Sequence, residues 1–170
     1  MEKKRTVKMN GKPLALAGWP VGVGDRAPDF NLQDNDLVEK TFSDYRGKIL
    51  IISAVPSLDT PVCELQTRRF NQAAAGLSKD VMVLTVSMDL PFAQKRWCAS
   101  SGLEGVITLS DHRHSSLGWA YGILIEDLRL LARSVFVVDK EGIVRHAQLV
   151  DDITKEPDYD GVLKAVTELL

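Results

Sequence analysis

Residues 48–63 read KILIISAVPSLDTPVC, and this stretch carries the main information about the fold. Its first half, residues 48–55, is an almost unbroken apolar run rich in isoleucine, which is typical of a strand buried on both faces of a sheet. Its second half forms a polar turn and then enters a helix at Pro61, because proline suits the first helical position. We therefore predict an α/β protein with helices packed against a sheet.

The residues that follow Pro61 extend this pattern. Apolar side chains recur at helical spacing as far as Leu77, and Gly76 lies where the helix is expected to end. Residues 81–88 form a second apolar run, which predicts another buried strand. Strand, helix and strand in this order indicate a β-α-β unit with parallel strands.

The rest of the chain predicts further strands, helices and links. Alternating apolar residues on both sides of Asn10-Gly11 predict an N-terminal β-hairpin, because this dipeptide favours the positive φ angles of a type I′ turn. Asp89 and Pro91 are expected to cap and begin a second helix that ends near Gly102. The remaining predictions are a loop over 22–32, a turn-rich link over 40–47, a short strand over 106–109, a short helix over 115–121, an antiparallel hairpin over 134–138 and 143–150, and a closing helix over 159–170.

Composition limits the class of protein. With 45% hydrophobic and 26% charged residues, the chain is close to the globular average, and we expect one domain over residues 1–170. The 21 basic and 23 acidic residues are mixed along the chain, so no surface for nucleic acid is predicted. The apolar runs are shorter than a membrane helix, and Lys3, Lys4 and Arg5 precede no apolar signal segment. We expect a cytoplasmic protein that binds no membrane.

Cys63 and Cys98 are the two cysteines, and their separation fits neither a Cys-x-x-Cys motif nor ordinary zinc-ligand spacing. Both could be small buried hydrophobic residues. Thr60 is the predicted N-cap and Pro61 the first helical residue, which places Cys63 in the first turn. There a thiolate is stabilised by unpaired backbone N–H groups and by the helix dipole, so we interpret Cys63 as a nucleophile.

Pro56, Thr60 and Cys63 match the Pro-x-x-x-Thr-x-x-Cys signature of the peroxiredoxins, and residues 57–63, SLDTPVC, resemble the version found in the thiol peroxidase branch. Other segments are also similar to that family: residues 24–30 (GDRAPDF), the helix with the second cysteine over 92–98, and residues 132–139 (ARSVFVVD). The resemblance covers nearly the whole chain. It implies a thioredoxin-like mixed sheet flanked by helices, with the N-terminal hairpin as an extension.

The resemblance also implies residue roles in the reduction of hydrogen peroxide and organic hydroperoxides, without a cofactor. Cys63 would attack the peroxide, while Thr60 and Arg133 would organise the peroxide and the thiolate. Pro56 would help to position the substrate. Fixed donors suit this reaction because negative charge develops on the leaving oxygen, and the planar guanidinium can address two atoms. Judged from the residues alone, Arg133 could be an ordinary surface residue, and Arg129 is an equal candidate.

For Cys98, the resemblance implies that it resolves the Cys63 sulfenic acid as an intramolecular disulfide, which thioredoxin then reduces. It also suggests a homodimer. Otherwise Cys98 would be a buried helix cysteine beside Trp97, and an outside thiol would react with Cys63. Two other functions stay open: a thiol–disulfide oxidoreductase, which the lack of Cys-x-x-Cys disfavours, and a peroxide-sensing redox switch.

Several other side chains are predicted to have no catalytic role. Asp111, His112 and His114 lack the spacing of a metal site, and we expect a solvated loop there. His146 alternates with apolar neighbours and is expected to face solvent. The tryptophans at positions 19, 97 and 119 are expected in the core or at an interface.

Overall fold

The computed structural model describes residues 4–170, so Met1, Glu2 and Lys3 lie outside the described residues. The strands are β1 (Thr6–Met9), β2 (Lys12–Ala17), β3 (Asn31–Gln33), β4 (Glu39–Thr41), β5 (Ile49–Ala54), β6 (Val81–Ser87), β7 (Ile107–Ser110), β8 (Leu124–Ile125), β9 (Leu130–Leu131), β10 (Ser134–Val138) and β11 (Val144–Leu149). The α-helices are α1 (Pro61–Ala75), α2 (Pro91–Ser101), α3 (Ser116–Ala120) and α4 (Tyr159–Glu168), and Phe42–Tyr45 is a short 3-10 helix.

The main sheet has the strand order β11-β10-β5-β6-β7-β3-β4. Strands β5, β6 and β7 are parallel, whereas β10, β11, β3 and β4 join the sheet in antiparallel pairings. Every residue of β5 is buried, because helices cover both faces of the sheet at its centre. The predicted mixed sheet flanked by helices is therefore confirmed.

Two apolar clusters lie on opposite faces of this sheet. On one face, Ile51 of β5 packs with Phe70 of α1 and Val162 of α4. On the other face, Ile52 packs in a larger cluster that includes Leu117 of α3. Full burial of an aliphatic or aromatic side chain contributes about 1.5–3 kcal/mol, so these clusters hold the helices against the sheet.

The N-terminal hairpin forms as predicted. Met9 pairs with Lys12, and the turn residues Asn10 and Gly11 have φ angles of 50° and 81°, as a type I′ turn requires. The hairpin continues into a second sheet with the order β1-β2-β8-β9. Strands β8 and β9 were absent from the sequence prediction, because two-residue strands are too short to show a period.

Two local predictions need correction. Asp89 does not cap α2: Leu90 is the N-cap, and its apolar side chain makes no cap bond. The Asp89 carboxylate instead accepts hydrogen bonds from the turn before Cys63. Residues 40–47, predicted as a turn-rich link, contain the end of β4 and the 3-10 helix.

Within the described residues, no helix is long and apolar enough to cross a membrane.

The prediction that His146 faces solvent is also wrong. His146 lies on β11 and is half-buried, with its ring next to Gly161 in the first turn of α4. Its Nε2 atom is buried and has no hydrogen-bond partner within residues 4–170. Burial lowers the pKa of His146, and the nearby Asp158 carboxylate opposes this shift.

Candidate active site

Cys63 lies in the first turn of α1, as predicted. Thr60 is the N-cap with extended backbone angles, and Pro61 is the first helical residue. The Cys63 side chain is fully buried and packs with Val55, Leu58 and the partly buried Trp97. The cysteine therefore lies at the start of the helix that follows the buried strand β5, next to the unpaired N–H groups of that helix N-terminus.

Arg133, immediately before β10, contacts the Cys63 sulfur. Its Nη2 atom donates a hydrogen bond to Cys63 Sγ at 3.2 Å, and the side chain is only 2% exposed. The other candidate, Arg129, points elsewhere and donates to Ser115 Oγ at 3.0 Å. The structure therefore brings Arg133, and not Arg129, to Cys63.

The remaining partners of Arg133 are neutral. Its Nη1 atom donates to Gln66 Oε1 at 2.8 Å, and its Nε atom donates to the Ile153 carbonyl at 2.9 Å. Within residues 4–170, no carboxylate pairs with Arg133. Buried charges normally have an opposite charge close by, and a thiolate at Cys63 would supply one. A thiolate formed at Cys63 would therefore lie next to the positive charge of Arg133.

Gln66 is a site residue that the sequence analysis missed. It is fully buried, and its Nε2 atom donates to Ser53 Oγ at 2.7 Å while its Oε1 atom accepts from Arg133. Gln66 is three residues after Cys63 and therefore lies on the same side of α1. That spacing is the signal that could have revealed it.

The turn before Cys63 is held by Asp89. The Asp89 carboxylate accepts from Ser57 Oγ at 2.7 Å, from the Leu58 amide at 2.9 Å and from Ser87 Oγ at 2.6 Å. Thr60 Oγ1 donates to the Ser57 carbonyl at 3.1 Å, so its hydroxyl proton is used within the turn. Pro56 is buried at the start of the same turn.

Cys98 lies on α2, and both cysteines are free thiols. The half-buried Cys98 side chain contacts Thr108 of β7, with 3.3 Å between Sγ and Oγ1. Its neighbour Trp97 packs against the Cys63 cluster. The second half of α2 therefore lies close to the start of α1, although the two cysteines are not bonded.

A cleft of about 590 Å³ lies between the Cys63 turn and α2. Its wall includes the exposed Leu90 and Phe92 and the partly buried Trp97. A larger cavity, of about 670 Å³, is lined by other parts of the chain, including Arg26 and Tyr45, and contains none of the predicted site residues.

The loop that contains Asp111, His112 and His114 is hydrogen-bonded to neighbouring parts of the fold. His112 Nε2 is 3.2 Å from Gln33 Oε1, and the Asp111 carboxylate accepts from the amides of Leu117 and Gly118 in α3. Burial raises the pKa of Asp111, although these backbone donors oppose the shift. Among the described residues, no three His, Cys, Asp or Glu side chains gather where they could hold a metal ion.

A mixed sheet with a buried cysteine–arginine pair near the carboxyl end of β5 defines a thioredoxin-like protein with a thiol site. The redoxin family matches residues 22–163. The thiol peroxidase of Bacillus subtilis is 51% identical over 164 residues, which cover 96% of this chain and 98% of that protein. The thiol peroxidase of Oceanobacillus iheyensis is 52% identical over 157 residues, or 92% and 95% of the two chains.

Solved structures agree with these relatives. A peroxiredoxin-like protein from Aquifex aeolicus is 47% identical, with a TM-score of 0.91 and coverage of 98% of both chains. A thiol peroxidase from Chromobacterium violaceum, with 20% identity and a TM-score of 0.88 over 99% of this chain and 98% of that one, shares the fold. The chain described here belongs to the redoxin family. The predicted resemblance to thiol peroxidases and the thioredoxin-like fold are both confirmed.

Proposed function

We propose that this chain is a thiol-dependent peroxidase that reduces hydrogen peroxide and organic hydroperoxides at Cys63. The observation that carries the proposal is the hydrogen bond from the buried Arg133 to Cys63 Sγ, at the start of a helix. The thiolate attacks the terminal peroxide oxygen and the O–O bond breaks. Cys63 becomes a sulfenic acid, and the remaining oxygen takes a proton and leaves as water or an alcohol.

The neighbouring side chains fit this reaction. The Arg133 guanidinium would stabilise both the thiolate and the charge that develops on the leaving oxygen. Thr60 Oγ1 donates its proton to the Ser57 carbonyl, so its lone pairs can accept a hydrogen bond from the peroxide O–H. Pro56 is buried beside the turn and would help to position the substrate.

Cys98 would resolve the sulfenic acid. Its thiolate would attack the Cys63 sulfur, a disulfide would form, and the displaced hydroxide would take a proton to become water. A disulfide needs Cα atoms roughly 4.4–6.8 Å apart, whereas Cys63 begins one helix and Cys98 lies near the end of another. We therefore expect at least one helix end to unwind, after which thioredoxin would reduce the bond.

The chain is proposed to act as one domain in the cytoplasm, without a cofactor, and as a homodimer. Trp19 is 78% exposed and Trp119 is 47% exposed, and the Trp19 amide donates to the Trp119 carbonyl at 3.0 Å. Two adjacent exposed aromatic side chains support a surface that a second copy could cover.

Steady-state consumption of a hydroperoxide with thioredoxin, thioredoxin reductase and NADPH tests the function. We expect sustained turnover by the wild type and none by Cys63→Ser, because a serine hydroxyl does not ionise at neutral pH. Peroxide consumption by Cys63→Ser near the wild-type rate would refute the mechanism. A wild type that reacts once with peroxide and then stops would instead indicate a redox switch.

A further inference from the structure

We propose that Thr108 is a positioning residue that accepts a hydrogen bond from the Cys98 thiol in the folded state and so delays the resolving step. This inference rests on the proposed function, because it assigns a partner to the cysteine that resolves Cys63. It concerns a side chain on β7 whose hydroxyl contacts Cys98 Sγ and Asn35 Oδ1.

The number of protons available determines the direction of the hydrogen bond between Thr108 and Cys98. A threonine hydroxyl has one proton to donate, and Thr108 Oγ1 donates it to Asn35 Oδ1 at 2.8 Å. In the 3.3 Å contact between Thr108 Oγ1 and Cys98 Sγ, the proton must therefore come from the sulfur. Cys98 is thus the first donor in a series of two hydrogen bonds, from Cys98 to Thr108 and from Thr108 to Asn35.

Thr108, the acceptor for the Cys98 thiol, lies on a strand that is paired on both sides. Thr108 is 3% exposed, and its strand β7 is paired with β6 on one side and β3 on the other. The first turn of α2 is also fixed to the sheet, because Gln94 Nε2 donates to Ser87 Oγ and to the Leu109 carbonyl. Cys98 lies farther along α2, where the contact with Thr108 ties the helix to β7.

The contact has a chemical consequence for the order of the reaction steps. Only the thiolate attacks a sulfenic acid or a peroxide, and a thiol whose proton is bonded to Thr108 is held in the unreactive form. When the end of α2 unwinds, Cys98 leaves Thr108 and its proton can pass to solvent. Resolution would thus follow unwinding, and Cys98 would be protected from peroxide before that point.

Alkylation of Cys98 by iodoacetamide, measured in the Cys63→Ser protein at one pH, tests the contact without using peroxidase activity. We expect Thr108→Val to react about fivefold faster, which corresponds to about 1 kcal/mol at 1.36 kcal/mol per tenfold. Thr108→Ser keeps the hydroxyl and should react like its parent. An unchanged or slower rate for Thr108→Val would overturn the proposal.

Thr85→Val is the matched control. Thr85 is the Cα partner of Thr108 on the adjacent strand β6, and its buried Oγ1 has no hydrogen-bond partner within residues 4–170. The same substitution there should leave the alkylation rate unchanged; an equal acceleration would show that Thr108 acts only through general packing.

A variant of Asn35 tests the direction of the bond without altering β7. In Asn35→Ala, the Thr108 hydroxyl loses its acceptor and can turn its proton toward the sulfur, which would stabilise the thiolate. Alkylation should therefore also accelerate, and a rate equal to or below that of the parent would overturn the assignment of Cys98 as donor. This variant keeps the proposal testable if Thr108→Val fails to fold.

The same substitutions in the wild-type background separate the two proposals. Thr108→Val should form the disulfide several-fold faster, while Cys63 is oxidised at the wild-type rate and Thr108→Ser restores slow resolution. Equal changes in both rates would contradict a positioning role. If the wild type consumes no peroxide, the proposed function fails, but the alkylation result still decides whether Thr108 holds the Cys98 thiol.

Discussion

At the scale of single residues, Arg133 does most to define the site. Its guanidinium divides its donors among a thiol, an amide oxygen and a backbone carbonyl, so both its position and its orientation are fixed. A lysine at this position would keep the charge but has no planar guanidinium, so its ammonium cannot donate hydrogen bonds in the same three directions.

We expect Arg133→Lys to slow the oxidation of Cys63 by about a hundredfold, because fixed donors stabilise the charge on the leaving oxygen. Stopped-flow measurement of Cys63 oxidation by hydrogen peroxide gives this rate directly. Arg129→Lys is the control, since Arg129 contacts Ser115 and lies away from Cys63. An unchanged rate in Arg133→Lys, or an equal fall in both variants, would remove Arg133 from the reaction.

At the scale of elements, Asp89 joins the turn before α1 to the end of β6. Its carboxylate accepts from Ser57, Leu58 and Ser87, so removing it breaks three hydrogen bonds at once. Hydrogen bonds to a charged group contribute about 1.5–3 kcal/mol each, although losses at one site do not simply add.

We expect Asp89→Ala to lower the free energy of unfolding by about 2–3 kcal/mol and to slow Cys63 oxidation, because the turn that places Cys63 is no longer held. Urea unfolding and stopped-flow oxidation measure the two effects. Asp36→Ala is the control, since Asp36 bonds Lys95 of α2 in an exposed ion pair that contributes little. If both variants lose equal stability, Asp89 has no special part in holding the turn.

Disulfide formation also changes the secondary-structure elements, because a helix end must unwind to bring Cys63 and Cys98 together. In the oxidised wild type we expect faster amide exchange around Cys63 and around Trp97-Cys98, measured by hydrogen exchange with mass spectrometry. Cys98→Ser, which cannot form the bond, should consume about one equivalent of peroxide, fail to turn over with thioredoxin and accumulate sulfinic acid. Full thioredoxin-linked turnover by this variant would exclude Cys98 as the resolving residue.

The long elements were predictable from the sequence, and the polar contacts between them were not. The buried strands β5 and β6 have continuous apolar runs, and Pro61 marked the start of α1. Gln66 and Thr108, by contrast, look like ordinary polar residues until tertiary packing brings Arg133 and Cys98 to them. Helical spacing places Gln66 on the same side of α1 as Cys63, but Arg133 and Cys98 reach these two residues from distant segments, and no local period or cap records such contacts.

At the scale of the whole molecule, the half-buried His146 makes stability depend on pH. Burial lowers its pKa below the 6.5 of the unfolded chain, so the unfolded state binds the proton more readily than the folded state. The contribution of His146 to stability is therefore fully present above pH 6.5, and it falls as the pH decreases from 6.5 through the lower pKa of His146 in the folded protein.

We expect His146→Gln to lose less stability on acidification than the wild type, as measured by urea unfolding between about pH 7.5 and pH 5. His114→Gln replaces an exposed histidine and should follow the wild-type curve. A His146→Gln curve parallel to that of the wild type would show that His146 does not cause the loss.

The packing of Trp97 on the Cys63 cluster gives the protein an optical reporter of its own redox cycle. Trp97 is partly buried against Leu58 and Cys63, one residue before Cys98. If oxidation unwinds the end of α2, the indole passes from an apolar surface into water and its emission moves to longer wavelength. The exposed Trp19 and Trp119 would add background fluorescence that stays nearly constant during this change. Each turnover could then be followed in unlabelled protein by its own fluorescence.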